Sequence, residues 1–319
     1  MLFNYQLSPD DRLARKAMEE FRASRTPEGL VIAQYPTGLP LKQVPQFSLY
    51  FILMAYDHMR YFADKTLVRS YLGTADSILN YFEQRLDRRG VIGQFEANIW
   101  LFVHWVKEWF VPGQIFKSCI SPAYHSRGAA TIKSLFYAMT PQHAAEICDF
   151  ANRTDTATEY RVRAQSIRDA VNAACRGRDG LVMDGPGVEE YSQHTQIFAI
   201  LSETFTGADA TALMRRKDDV NARSDCHGWS ASPLNEIVTQ VFGVTPARPG
   251  FARVRIEPHR ALVEQADGTL YTPAGDVRVG WARDQAIGIE AVQQRVAAEV
   301  VVGSKTSVVD LVPGQVVRF

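Results

Sequence analysis

Arg223-Ser224-Asp225-Cys226-His227-Gly228-Trp229-Ser230-Ala231-Ser232-Pro233 gathers a carboxylate, a thiol, an imidazole and an indole into a few positions. Such a run is poor material for an apolar core face. It suits a pocket wall, where an imidazole and a carboxylate hydrogen-bond hydroxyl groups while an indole covers an apolar ring face. A lone His227 would read as a buried histidine satisfied by its neighbours; Asp225 and Trp229 beside it shift the reading to a hydroxyl contact. A second stretch, Glu96 to Val106, sets Trp100 and Trp105 on either side of His104. These indoles suit a packed interior or a stacking surface, and the two roles are compatible. Glu96, close in sequence to Trp100, Trp105 and Trp109, is the carboxylate whose aromatic surroundings would raise its pKa by desolvation. Asp218 and Asp219 follow Arg215-Arg216-Lys217 and read as a solvated helix end.

Other chemistries find little support. His104, His194 and His227 lack metal-ligand spacing, and no HxxxH pair or acidic cluster accompanies them, so no metal is expected. Glycine-rich phosphate loops are absent, and no cofactor is expected. Cys226 has no neighbouring base and orienting group and reads as an inert small residue. Ser126-Arg127-Gly128 reads as the cap of a helix rather than an anion site.

These residues need elements to hold them. Residues 1–248 read as helices joined by loops. Ser8-Pro9-Asp10-Asp11 predicts a helix start, with Ser8 as N-cap, Pro9 at the first helical position and two acids on the positive end of the dipole. Ala14, Ala17, Met18 and Phe21 continue it at helical spacing toward Arg25. A loop punctuated by Pro36, Gly38, Pro40 and Pro45 follows. Further helices are predicted over 46–64, 66–86, 127–150, 155–175, 191–205, 208–218 and 230–242, with Pro141 kinking or splitting the one at 127–150. From Pro249 the pattern becomes an alternation of apolar and polar residues, as in Ala252 to Glu257 and in Val277, Val279 and Trp281. Turn signals at Asp267-Gly268, Pro273 to Asp276 and Pro313-Gly314 separate the runs, and further β-rich runs fall at Val296 to Val302, Val308 to Leu311 and Val316 to Phe319. The predicted fold class is mainly α with a smaller all-β domain: helical hairpins over 1–248 and an antiparallel β-sandwich over 249–319.

Composition bounds the partners. The 319 residues carry 35 basic and 35 acidic side chains, with a pI near 7.1, so no clustered basic excess marks a nucleic-acid or anionic-membrane surface. The first residues, Met1 to Leu7, lack a charged start and a continuous apolar run, so no secretory signal is expected there. No apolar stretch approaches the roughly 20 residues that span a bilayer. Cys119, Cys148, Cys175 and Cys226 form neither a CxxC pair nor a secreted-scaffold density, and reduced thiols in the cytoplasm are the expectation. An aromatic content of 11% suits a sugar cleft as well as a large core.

One resemblance draws these readings together. Gln34-Tyr35-Pro36, Pro45-Gln46-Phe47-Ser48-Leu49-Tyr50, Glu96 to Val106, Tyr191-Ser192-Gln193-His194, Arg223 to Pro233 and Gly250-Phe251-Ala252-Arg253-Val254-Arg255-Ile256-Glu257-Pro258 occur in this order. Together they resemble the bacterial α-L-rhamnosidases, glycoside hydrolases built on a six-hairpin (α/α)6 barrel followed by a β-domain. The resemblance implies hydrolysis of terminal α-L-rhamnose with inversion, and a rhamnose-containing glycoside or oligosaccharide as partner. It implies substrate-binding roles for His227, Trp229, Asp225, Trp105, Trp100 and His104. About eight helices are legible against the twelve of six complete hairpins, so a partial toroid is expected.

The same resemblance brings departures. The family carries its general acid in an acidic, Arg-containing motif upstream of the helix that begins here at Ser8. It carries its general base on a loop well before the His-Trp segment, whereas here Leu213 to Val220 runs almost directly into Asn221-Ala222-Arg223-Ser224. Where the family usually has Asp, this chain has His104. A chain truncated at its N-terminus and lacking a segment near Val220 is expected, without either family carboxylate. Inversion needs two carboxyls roughly 6.5–9.5 Å apart. That leaves Glu96 as the catalytic candidate and hydrolysis in question. Two other functions fit: a non-catalytic rhamnoside-binding or structural remnant, and another helical-toroid enzyme acting on uronic-acid sugars, with Arg223 and Tyr191 facing a substrate carboxylate.

Overall fold

The computed structural model describes residues 2–38, 43–178, 180–214 and 232–319, in two compact units. One unit comprises Met18–Tyr56 and Thr66–Arg223; the other comprises Met1–Ala17, Asp57–Lys65 and Ser224–Phe319. The helices among the described residues are α1 (Leu2–Tyr5), α2 (Arg12–Ala23), α3 (Pro45–Phe62), α4 (Lys65–Glu83), α5 (Pro122–Arg127), α6 (Thr131–Phe150), α7 (Thr154–Cys175), α8 (Gln193–Leu201), α9 (Gly207–Met214) and α10 (Ser232–Glu236).

In the helical unit, α6 packs along α7 and against α8, and α8 packs against α9. The reason is legible in the burial. In α7 the buried residues Ala157, Tyr160, Ala164, Ile167, Val171 and Cys175 fall three or four apart, giving one apolar stripe. By contrast α6 is buried around most of its circumference, from Thr131 through Cys148, as an interior helix must be. Pro141 lies buried within it and the helix runs on to Phe150, so of the expected kink or split at Pro141 the split does not occur. The break falls earlier, where Gly128 takes a left-handed φ of 70° to end α5 and donates its N–H to the Tyr124 carbonyl at 2.8 Å.

The strand-bearing unit holds β1 (Val244–Arg248), β2 (Arg253–Ile256), β3 (Ala266–Leu270), β4 (Val277–Trp281), β5 (Gly288–Ala291), β6 (Val296–Val302), β7 (Lys305–Leu311) and β8 (Val317–Arg318). They form two four-stranded sheets, ordered β1-β2-β6-β7 and β3-β4-β5-β8. Alternate residues are buried, as in Val254 and Ile256, Val277, Val279 and Trp281, and Val296, Ala298 and Val300. The expected antiparallel pattern needs one correction: β2 and β6 pair in parallel. A parallel pair requires a long crossover, and here β3, β4 and β5 supply it by forming the other sheet.

This unit also takes in residues that precede Pro249. Tyr61 packs on Phe251 at 5.1 Å and on Tyr5 at 5.1 Å, and Tyr5 meets Phe62 edge-on at 5.0 Å. Gln6 donates to Asn235 at 2.8 Å, and Arg60 donates to the Pro246 carbonyl. The helix predicted to start at Pro9 starts instead at Arg12. Asp10 receives the Arg12 N–H at 3.0 Å, while Asp11 pairs with Arg15 at 2.6 Å and with the buried His58 at 2.9 Å. Both acids are thus spent on specific partners.

Candidate functional site

Residues 215–231 lie outside the described residues, and with them Asp225, His227, Trp229, Cys226, Arg223, Asp218 and Asp219. What the structure does place is the other half of the nominated constellation, all within the helical unit.

The segment from Ile99 to Cys119 has little regular structure beyond two short 3-10 turns, Lys107–Trp109 and Ile115–Lys117. It is held from several sides. The Trp100 N–H donates to the Gln43 carbonyl at 2.8 Å, and its indole N–H donates to the Ser118 carbonyl at 3.1 Å. Val103 donates to Cys119, and Cys119 to the Trp109 carbonyl, both at 2.8 Å. Ser118 is fully buried and its hydroxyl accepts the Val111 N–H at 2.8 Å. Irregular backbone, which has no helix or strand ladder to pair its polar groups, must be satisfied by such scattered partners.

On that scaffold the aromatic rings form a connected run. Phe102 meets Trp105 at 5.2 Å and Trp100 at 5.0 Å, Trp100 meets Trp105 at 6.0 Å and Phe116 at 5.5 Å, and all these pairs are edge-on. One end is anchored: Phe102 packs with Phe47, Val44 and Cys119 in a small core. The other end is open, with Trp105 46% exposed. An anchored aromatic run with an exposed indole can stack against an apolar ring face.

His104 lies beside this run and meets His194 edge-on at 5.3 Å, and Trp109 lies 5.9 Å from His194. His194 stands in the first turn of α8, whose N-cap Ser192 accepts the Thr195 N–H. Burial, and then the neighbouring His104, hold the His194 imidazole below its ordinary range. Two residues not nominated from the sequence support this corner. Lys133, 4% exposed in the first turn of α6, donates to the Phe102 carbonyl at 2.8 Å, and burial holds its amine well below the usual lysine range. Asp184, 3% exposed, accepts the Ser192 N–H at 3.0 Å, the Ser192 hydroxyl at 2.7 Å and the Thr195 hydroxyl at 2.5 Å. Burial raises its carboxyl above the usual range against the pull of those hydrogen bonds. Neither stands in a recognisable motif, so only their later burial marks them.

Glu96 is a correction. Its partners are Arg85, which forms an ion pair with it, and the Tyr81 hydroxyl at 3.2 Å. Its side chain is 53% exposed. Partial burial pushes its carboxyl up, but the hydrogen bonds and charge of Arg85 outweigh this and leave it below the ordinary range, not above it. Arg85 in turn sits over the Tyr81 ring, its guanidinium carbon 3.4 Å from the centroid. Sequence proximity to tryptophans did not reveal the arginine eleven positions earlier.

The clefts found elsewhere do not compete well. One of about 430 Å³ is lined by Arg260, Glu264 and Arg283, and one of about 530 Å³ by Arg89, Ala173 and Pro186. Arg283 pairs with Glu264, Arg260 donates to the Ala282 carbonyl at 3.2 Å, and Arg89 pairs with Asp87. Among the described residues no group of three or more His, Cys, Asp or Glu could hold a metal, and no helix is long and apolar enough to cross a membrane.

Residues 3–233 match the model of the bacterial alpha-L-rhamnosidase six-hairpin glycosidase domain. No curated protein sequence matches the chain. Among solved structures, the GH78 family rhamnosidase of Bacillus sp. GL1 superposes with a TM-score of 0.77 at 17% identity, over 95% of this chain and 38% of that one. The α-L-rhamnosidase of Aspergillus terreus gives 0.70 at 14% identity, over 96% and 42%. The Streptomyces avermitilis α-L-rhamnosidase, solved in complex with L-rhamnose, gives 0.64 at 14% identity, over 94% and 35%. The chain therefore spans about two-fifths of the length of the first two of these, 38% and 42%. At these identities the likeness is one of fold, a helical toroid with a β-domain. By the match over residues 3–233, the chain belongs to the bacterial α-L-rhamnosidase six-hairpin glycosidase family.

Proposed function

We propose that this chain binds a terminal α-L-rhamnose of a glycoside or oligosaccharide, as the sugar-recognising portion of an inverting α-L-rhamnosidase. The observation that carries the reading is the anchored aromatic run ending in the exposed Trp105, inside a domain of this family. A 6-deoxy sugar has an enlarged apolar face at its methyl group, and an indole is the side chain best suited to cover it. His104, in the same corner, would take a ring hydroxyl. Asp225, His227 and Trp229, which lie outside the described residues, are proposed as further sugar contacts on the family resemblance. Three buried, unpaired thiols, Cys119, Cys148 and Cys175, fit a reducing cytoplasm.

Hydrolysis by the chain alone is proposed to be slow. Inversion needs a protonated and an ionised carboxyl facing one another across the bond. Glu96, held ionised by Arg85, is a poor acid and a weak base. The test is calorimetry with methyl α-L-rhamnoside, followed by turnover of nitrophenyl α-L-rhamnoside, whose leaving group needs little protonation. The expected result is weak binding that Trp105→Ala abolishes, with turnover little above background. Absence of binding would overturn the recognition role, and rapid turnover would overturn the account of the carboxylates.

A further inference from the structure

His194 stands in a corner of the helical unit that is braced from two sides. Two segments ninety residues apart converge there: the irregular loop bearing His104 and the first turn of α8 bearing His194. Their imidazoles meet edge-on at 5.3 Å, and Trp109 closes a third side of His194 at 5.9 Å.

The two segments are braced independently, and by unusual means. Lys133 is a lysine 4% exposed whose amine is used on the carbonyl of Phe102, two residues before His104. Asp184 is a carboxylate 3% exposed whose hydrogen bonds go to Ser192 and Thr195, on either side of His194. Burying an ionisable group is costly unless its interactions are specific. Apolar residues would serve as well if packing were all that was required. Both groups instead hold the backbone on which one imidazole is mounted, so the position of each ring is overdetermined. A constellation needs such bracing when its geometry has to match something.

We propose that His104 and His194 act as a pair that hydrogen-bonds adjacent hydroxyls of the sugar ring, making His194 a specificity-determining residue. This rests on the rhamnoside reading above. The neutral His194 imidazole offers one donor and one acceptor, so with the His104 ring beside it the pair can answer a vicinal diol, in which each hydroxyl both donates and accepts. The lowered pKa of His194 keeps that acceptor free near neutral pH. The indoles Trp100 and Trp105 lie along the same loop, so the polar pair and the aromatic surface would grip different faces of one ring. Lys133 and Asp184 act as positioning residues and need not touch the sugar.

The test compares His194→Phe, which keeps a flat ring against Trp109, with His194→Gln, which keeps hydrogen bonding. Calorimetry on the full chain would use methyl α-L-rhamnoside and its 2-, 3- and 4-deoxy analogues. His194→Phe is expected to weaken binding by about tenfold or more, the scale of one lost buried hydrogen bond, and His194→Gln by less than about threefold. The deoxy analogue that loses most on the wild type should lose least additional affinity on His194→Phe, since the partner hydroxyl is already unmatched. Imidazole nitrogen NMR on the wild type provides a measurement free of folding effects: the His194 resonance should shift on sugar addition. Unchanged affinity in His194→Phe, or an unmoved resonance in a wild type that binds, overturns the pair and leaves the rhamnoside reading standing. A wild type that does not bind overturns both.

Discussion

Glu96 shows how one neighbour changes what a carboxylate can do. Among aromatic residues alone it would hold its proton and could act as an acid; ion-paired with Arg85 it stays charged. Glu96→Gln is therefore expected to leave rhamnoside affinity and any residual turnover unchanged within about twofold. Its effect belongs to stability. A carboxyl whose folded pKa is depressed stabilises the fold above its unfolded range near 4.5, and the contribution disappears as pH falls through the folded value. The Glu96 side chain is half exposed, so the effect at neutral pH should be under about 1 kcal/mol. Thermal melts from pH 7 down to pH 3 would check this: the variant should be slightly less stable at neutrality and converge with the wild type in acid. A variant whose turnover collapses would restore Glu96 as a catalyst. His194 shows the opposite case, since its constraint comes from residues that sequence patterns do not join to it.

Helices and strands were largely legible because burial there is periodic. The stripe of α7, the long run of α6 and the alternation in β4 each express one period that the residues Ile167, Val171, Val277 and Val279 already carry. Three features were not legible. The start of α2 moved because Asp10 and Asp11 found partners in Arg12, Arg15 and His58, the last 47 positions from Asp11. Pro141 was tolerated because α6 is surrounded by packing, which propensity alone does not register. The parallel pairing of β2 with β6 depends on the path of the strands between them. Trp100, His104 and Trp105 were nominated from residue type and stand on one loop, with the two indoles in contact; Lys133 and Asp184 were not nominated, because what marks them is burial. At this scale Gly243, which leads into β1, offers a test. Its φ is 67°, and a Cβ there would stand 1.9 Å from the Glu257 carbonyl oxygen. Gly243→Ala should cost about 2–4 kcal/mol, combining left-handed strain with a backbone clash. Urea unfolding measures it, and a loss below about 1 kcal/mol would show that the turn can rearrange.

The strand-bearing unit is assembled from three stretches of chain, Met1–Ala17, Asp57–Lys65 and Ser224–Phe319. Composition changes at Pro249, yet β1 begins at Val244 and pairs with β2 through Val244–Ile256, Thr245–Arg255 and Pro246–Val254. Phe251 packs on Tyr61, Tyr61 on Tyr5, and Tyr5 on Phe62, so an aromatic group of this unit draws on residues nearly 250 positions apart. Expressed alone, residues 249–319 would lose β1 and leave the edge of β2 unpaired. They would also strip Phe251, 2% exposed, of its aromatic partner. A domain of about 70 residues has little stability to spare, and a buried aromatic left without packing costs about 3–5 kcal/mol. The fragment is therefore expected to lack a cooperative thermal transition and to bind a dye specific for exposed apolar surface. Adding residues 232–248 would restore β1 but not Tyr5, Tyr61 or Phe62, and should give a broad, low transition. A sharp two-state melt from residues 249–319 alone would refute this and make Pro249 the start of an autonomous sandwich. A melt that appears only in the full chain, and that Tyr61→Ala lowers without affecting rhamnoside affinity, would show that the strands depend on the distant N-terminal residues for their stability.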